Sequence, residues 1–500
     1  MELHRRILRW LKNPGQSLHR RVIHGGFWVF AIRVFRRLFG LVKTIILARL
    51  LAPEDFGLFG IAMLALATLK SLSRTGFGQA IIQKKEDTVS YLNSAWTVAI
   101  ARNLILATLL LIIGPGIGKF FGEPDAAALV RVLAISVAID GFVNIGIIYF
   151  RKEMEFHKHF FYEFTEVVVS FSVVVPLAFI LRSAWALVYG QIATSVVRLL
   201  LSYRLHPFRP SFEFDRGKVR ELYTFGRWVF GTSILTFLAL QGDDIFAGKI
   251  LGAAALGIYQ LSFTISNSMA TEISGVIGQV TFPAFSKLQD NVRALRMAFF
   301  STVEAAMSLT IPLAFGIFIL APDFVHVVLE PKWEPMIPVM RLLTISGLVR
   351  SLMATGGPLV SAVGKPKINF WINLVRTLLI AAAIYPLTAY FGLVGTAGAV
   401  LFGLCGGIVI WVKFTAPVVE GRGRDYVRNI APAFFGSLVM VFAIVLFKWV
   451  LPPLNVPLMF ALIFLGIFVY VIYSFLVWWF LKVGPINSLQ LVWNYSREEN

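Results

Sequence analysis

Four basic residues, Arg33, Arg36, Arg37 and Lys43, lie within the apolar stretch Phe27–Leu50. A charge at the centre of a bilayer costs about 2.5–3.5 kcal/mol on insertion scales. Cations placed so deep therefore face a watery cavity or a partner. Arg33, Arg37, Gly40 and Thr44 follow i, i+4, i+7, i+11 spacing, and Arg36, Gly40 and Lys43 share much of that stripe. Arginine pairs bidentately with phosphate, so the chemistry this pattern suits is reception of an anion. The competing reading is that Arg33, Arg36 and Arg37 snorkel to anionic headgroups, which the deeper Lys43 does not suit.

Further cations extend the set. Lys70 and Arg74 are i, i+4 in the second apolar stretch, and either complete a phosphate site or neutralise a buried carboxylate. Arg102, Arg350 and Arg376 are single cations in later stretches, where ion pairing and cargo contact compete. Arg131, Arg198, Arg341 and Lys448 lie nearer the ends of their stretches and are expected to snorkel. Asp140 and Asp243 are intramembrane acids suited to binding a coupling H+ or Na+, although Asp243 has Lys249 as an alternative partner. Glu163 and Glu166 are expected to balance Lys158 or surface cations.

The elements that must position these residues are membrane spans. The 500-residue chain is 57% hydrophobic and 15% charged, where a soluble domain carries about 25% charge. Runs of about 20 apolar residues recur from end to end. The expectation is an all-α polytopic membrane protein of about fourteen transmembrane helices. Its parts are a basic cytoplasmic tail 1–25, an N-lobe 26–205, a linker 206–222, a C-lobe 223–415, a helix pair 416–482 and a second cytoplasmic tail 483–500. The start has no short apolar core and reads as a retained tail, not a signal peptide.

Alternate connections and the tails hold 26 Lys and Arg against 4 in the opposite connections, which places both termini in the cytoplasm. The same asymmetry accounts for most of the net charge of +19, so nucleic acid is not expected as a partner. One cysteine, Cys405, excludes an intramolecular disulfide, and the seven histidines lack metal-ligand spacing, so no metal or cofactor is expected.

The chain repeats itself. Trp28-Val29-Phe30 returns as Trp228-Val229-Phe230, Phe56-Gly57-Leu58 as Leu256-Gly257-Ile258, and Gly78-Gln79 as Gly278-Gln279, each 200 residues on. Arg131–Ser136 returns as Arg341–Ser346, 210 on. Two parallel six-helix copies suit a transporter that rocks two bundles about a central site.

Three segments carry a family resemblance. Ala48-Arg49-Leu50-Leu51-Ala52-Pro53-Glu54-Asp55-Phe56-Gly57-Leu58-Phe59 resembles the first outer turn of bacterial polysaccharide flippases. Asp243, Ala247–Gly252 and Leu256–Tyr259 are similar to that family's seventh span and the turn after it. Lys332–Pro335 and Ala362-x-Gly364-Lys365-Pro366 are similar to segments bounding its tenth. Arg74 departs from relatives that carry an acid there.

The resemblance implies a flippase moving a polyprenyl-pyrophosphate-linked oligosaccharide across the bacterial inner membrane by alternating access. It would serve lipopolysaccharide or exopolysaccharide biosynthesis, with polymerase and export proteins as possible partners. The cationic candidates suit such a head group. A multidrug exporter or a peptidoglycan-precursor flippase is the alternative within the fold. A multi-span glycan polymerase or glycosyltransferase, with Asp243-Asp244 catalytic, is the alternative from another class.

Overall fold

A computed structural model describes residues 18–73, 77–83, 88–450 and 455–481, so Arg74, the first residues of the basic tail and the tail 483–500 lie outside the described residues. Among the described residues there is helix and no strand. Among the described residues, ten helices are long and apolar enough to cross a membrane, or eleven if one bent pair is counted as a single span. The chain divides into two compact units, Met1–Gly257 and Ile258–Asn500.

The first unit opens with α1 (Leu18–Leu50), which starts at Leu18 rather than at the expected 26. It continues through α2 (Pro53–Leu72), α3 (Phe77–Gln83), α4 (Val89–Phe121), α5 (Pro124–Gly141), the short α6 (Tyr149–Lys152), α7 (Phe156–Leu181) and α8 (Trp185–Leu205). Proline at the first position of α2 loses no bond that the helix needs. Asp55 ties down the start of α2, accepting from the Ala52 N–H and the Ala184 N–H, each at 2.9 Å. One carboxylate thus anchors two helix starts.

α1 and α7 run parallel. Arg36 meets Glu163, Lys43 meets Ser170, the Phe35 ring packs at a tilt on Phe164 and Phe39 meets Phe171 edge-on, so contacts advance together along both helices. Leu47, Leu51, Val174, Ala178, Ala186 and Leu187 close a small core where α1, α7 and α8 converge.

α9 (Arg216–Ser266) and α14 (Lys367–Thr415) are long helices interrupted at single glycines. Gly252 has φ 83° and Gly392 has φ 57°, in the region that favours glycine. Past Gly392 the chain doubles back: Gly395 abuts the Leu387 carbonyl, Gly403 abuts Ile380, and Gly407 abuts Arg376. Within the first unit, a Cβ at Gly57 would strike the Ala253 backbone, and one at Gly257 would strike that of Pro53. Residues 200 apart in the repeat therefore cross reciprocally.

The second unit completes itself with α10 (Ser268–Lys287), α11 (Val292–Asp323), α12 (Met336–Ala354), α13 (Gly356–Ala362), α14, α15 (Gly423–Val450) and α16 (Val456–Leu481). Its core gathers Phe299, Phe300, Leu404, Trp411 and Tyr426. Lys448 near the end of α15 holds Asp323 at the end of α11, at 2.5 Å, so it is an ion-pair partner and not a free snorkelling group.

The repeat also recurs in backbone repair. Pro115 in α4 cannot donate to the Leu111 carbonyl, and Pro322 in α11 cannot donate to that of Phe318. Arg131 Nε donates to Leu111 O at 3.3 Å and Arg341 Nε to Phe318 O at 3.2 Å. Each arginine of the echoed Arg131/Arg341 pair thus caps a carbonyl that proline has orphaned, which replaces the snorkelling expected of it. Arg131→Met should destabilise the protein by about 1–3 kcal/mol, read as a lower melting temperature in detergent, with Arg131→Lys intermediate. An unchanged melting temperature would show that the cap carries no energy.

Between α8 and α9 the chain is an extended strap, 206–215, where a linker to 222 was expected. The α4 start receives it: Asn93, Thr97 and Ser94 accept from the N–H groups of Ser211, Glu213 and Asp215. Phe212 packs on Trp96. The Asn93 amide, then Lys218, hold the Glu213 carboxyl below its ordinary range, and the Lys218 N–H does the same for Asp215. Depressed carboxylates stabilise above their unfolded pKa of about 4, and that stabilisation is lost as pH falls through the folded values. Hydrogen exchange over 206–215, corrected for intrinsic rates, should accelerate below about pH 4 relative to pH 7. In Glu213→Gln it should already be faster at pH 7; equal protection in both proteins at both pH values would contradict this assignment.

Candidate functional site

Exposed Phe30, Val34, Leu38 and Leu41 form one stripe of α1. Arg36 and Lys43, two turns apart, lie on the opposite face. That face meets Glu163, Glu166 and Ser170, spaced i, i+3, i+7 along α7. Arg36 Nη1 is 3.0 Å from Glu163 Oε2, and His159 Nε2 is 3.2 Å from the other oxygen of that carboxylate. Lys43 Nζ donates to Ser170 Oγ at 2.9 Å and lies in the field of Glu166. Arg33 and Arg37 are half-buried on neighbouring faces of the same helix.

A second group forms where α2, α5 and α8 meet. Asp140 lies in the last turn of α5, at the helix end where a negative charge opposes the dipole. Lys70 of α2 offsets it at 3.2 Å and Arg198 of α8 at 3.8 Å. Arg198 also reaches Glu166 at 3.7 Å and so links the two groups. Tyr162 donates to the Arg198 carbonyl, and Arg102 of α4 lies in the field of Asp140.

Just past Asp140 the chain bends by 75° into the turn leading to α6. The bend is held by Ser202 Oγ, which accepts from the Asn144 N–H at 2.9 Å, and by Tyr203, which donates to the Phe142 carbonyl. The position of Asp140 is therefore fixed by α8 from two directions.

Of the expected residues, the structure gathers Lys43, Lys70, Arg102 and Asp140 around Arg198 and Glu166, and pairs Arg36 separately with Glu163 on the same helix face. Of the two readings of Lys70, it supplies the carboxylate partner. Arg198 departs from expectation, bridging two acids instead of snorkelling. Glu163 pairs with Arg36 and His159, while Lys158 pairs with Glu155 at 2.8 Å. The signal for the α7 residues was present in their one-face spacing; the identity of their partners required the α1–α7 register.

In the second unit, the Arg350 guanidinium stands 5.3 Å from the Phe263 ring centroid, and Arg376 lies in the field of Arg350. Two arginines of different helices therefore share one neighbourhood. Asp243 is half-buried in α9, and Lys249 donates to the Phe120 carbonyl and covers the Phe120 ring. Among the described residues no cluster of histidine, cysteine and carboxylate has metal-binding geometry.

A family model described as polysaccharide biosynthesis protein matches residues 46–338. The lipopolysaccharide biosynthesis protein WzxC of Escherichia coli (strain K12) is 28% identical over 425 residues, 84% of this chain and 86% of that protein. The succinoglycan biosynthesis transport protein ExoT of Rhizobium meliloti (strain 1021) is 23% identical over 369 residues, 73% of this chain and 74% of that protein. A solved structure of the lipid II flippase MurJ, in an inward closed conformation, shares the fold with a TM-score of 0.72 at 15% identity. That match covers 92% of this chain and 100% of the other.

The Lys70–Asp140 contact should behave as a coupled pair. In a double-mutant cycle with Lys70→Met and Asp140→Asn, the coupling energy from thermal unfolding should be about 0.5–1 kcal/mol, since Lys70 is part-exposed. Strict additivity would show that the two side chains do not interact.

Proposed function

This chain belongs to the polysaccharide biosynthesis protein family, and on that basis we propose that it is a flippase for a polyprenyl-pyrophosphate-linked oligosaccharide. It is a multi-pass protein of the bacterial inner membrane and acts in transport, not as an enzyme. The names of its relatives, one of them a transport protein, and the flippase fold support this reading. A sugar–pyrophosphate head cannot cross hydrocarbon unaided, whereas its polyprenyl tail can remain in lipid. The protein's task is to supply the head with a polar path.

The single observation that carries the proposal is the polar face of α1, with Arg36 and Lys43 opposite the exposed apolar stripe. Arg33, Arg37, Lys70 and Arg102 would extend this anion-receiving bank, and Arg350 and Arg376 would form another in the second unit. Asp140, held by two cations, suits a counter-ion role better than ion coupling. Asp243 remains the candidate for H+ or Na+ coupling.

The finer topology belongs to the same proposal. Taking the breaks at Gly252 and Gly392 as turns between spans, and α1 as a span despite its charges, yields fourteen. Spans one and five then point the same way, in keeping with the parallel register of α1 and α7. Both termini would be cytoplasmic, and two six-helix lobes would alternate access by rocking.

In a bacterium lacking this gene, the lipid-linked oligosaccharide should accumulate facing the cytoplasm. Wild type should restore export, and Arg36→Ala combined with Lys43→Ala should not, despite normal membrane abundance. Surface polysaccharide at wild-type level with the double variant would refute the α1 site. Normal orientation of the lipid-linked glycan without the protein would refute the function.

A further inference from the structure

The first unit holds carboxylates beside the very cations that would receive an anion. Glu163, Glu166 and Ser170 line the α7 face turned to Arg36 and Lys43, and Asp140 holds Lys70. We propose that Glu163, Glu166 and Asp140 are built-in counter-anions, which hold the cationic bank in the empty carrier and yield its cations to the phosphates of the cargo. The inference rests on the flippase reading and assigns residues that the cationic candidates leave out.

The geometry carries this in three ways. The contacts are graded: Arg36–Glu163 and Lys70–Asp140 are close pairs at 3.0 and 3.2 Å, whereas Arg198 stands off both of its acids at 3.8 and 3.7 Å. Hydrogen-bonding capacity is also left over. Arg102 Nε, Arg198 Nε and Asp140 Oδ1 are buried with no hydrogen-bond partner among the described residues. Buried polar atoms are ordinarily satisfied; Arg102 Nε, and Arg198 Nε standing 3.7 Å off Glu166, are donors that an arriving anion could take up, while Asp140 Oδ1 is the loosely held acceptor it would displace. Finally, Arg36 is accessible in its pair, with 53% of its side chain exposed against 22% for Glu163.

The physical logic concerns the return step. A carrier that has released an anionic head must reset with its cations still inside the membrane. Bare cations there are costly, and cations paired internally are less so. The phosphate of the cargo replaces a carboxylate with a charge-assisted, bidentate contact. Arg198 acts as a positioning residue: by spanning Asp140 and Glu166 it keeps the acid near Lys43 and the acid on Lys70 in one frame.

Removing a counter-anion should therefore separate affinity from turnover. The test uses full-length protein in phosphatidylcholine nanodiscs with farnesyl pyrophosphate as the probe. Kd is measured for wild type, Glu163→Gln, Asp140→Asn and the charge-conserving Glu163→Asp. Each neutralised variant should bind about fivefold tighter than wild type, the worth of one part-exposed ion pair, and Glu163→Asp should return to wild-type affinity. In proteoliposomes the neutralised variants should also turn over more slowly. If wild type binds the probe and both neutralised variants bind it equally or more weakly, the carboxylates are structural partners and this inference falls alone. If wild type does not bind the probe, the flippase reading falls and takes the inference with it.

Discussion

A cation inside a membrane has to be matched, and that requirement fixes the internal arrangement of the first unit. The parallel register of α1 and α7 places Arg36 against Glu163 and Lys43 against Ser170. A one-residue slip of either helix would turn each cation roughly 100° away from its partner. Asp140 is tolerable at the unfavourable end of α5 only because Lys70 and Arg198 offset it. The bend that follows is in turn pinned by Ser202 and Tyr203 of α8, the helix that carries Arg198. Charge matching, helix register and chain bending are thus one constraint.

The backbone imposes a second requirement, since hydrocarbon offers no water to an orphaned carbonyl. Prolines lie inside α4 and α11, and in both cases an arginine from the helix that follows meets the carbonyl left open. The same solution at both echoed arginines argues that the proline and the arginine work as a unit. Asp55 applies the rule to donors, accepting from the N–H groups at two helix starts.

Much of this was legible in the sequence. Hydropathy locates the helices closely, because about 20 apolar residues in a row have few alternatives. The echoes at offsets of 200 and 210 are visible in the sequence, and the structure gives echoed residues like roles in the Arg131/Arg341 caps and the Gly57/Gly257 crossing. What could not be read was pairing. Arg198 resembles any arginine near a span end until α5 and α7 bring Asp140 and Glu166 to it. Glu163 and Lys158, five residues apart, looked like partners; helix geometry gives Lys158 to Glu155 one turn back and leaves Glu163 to Arg36. Short-range spacing fixes which residues share a face, whereas the opposing face is a tertiary fact.

The reciprocal crossing at Gly57 and Gly257 has a consequence for how the two echoed stretches can vary. Each glycine is kept small by backbone next to the other, with no side chain between them to absorb a change. A larger residue at either position would have to push apart two main chains, and no compensating substitution nearby could make room. The echoed stretches differ in charge elsewhere, with Arg36 against Thr236 at the 200-residue offset and Asp140 against Arg350 at 210, but carry glycine at both members of this pair.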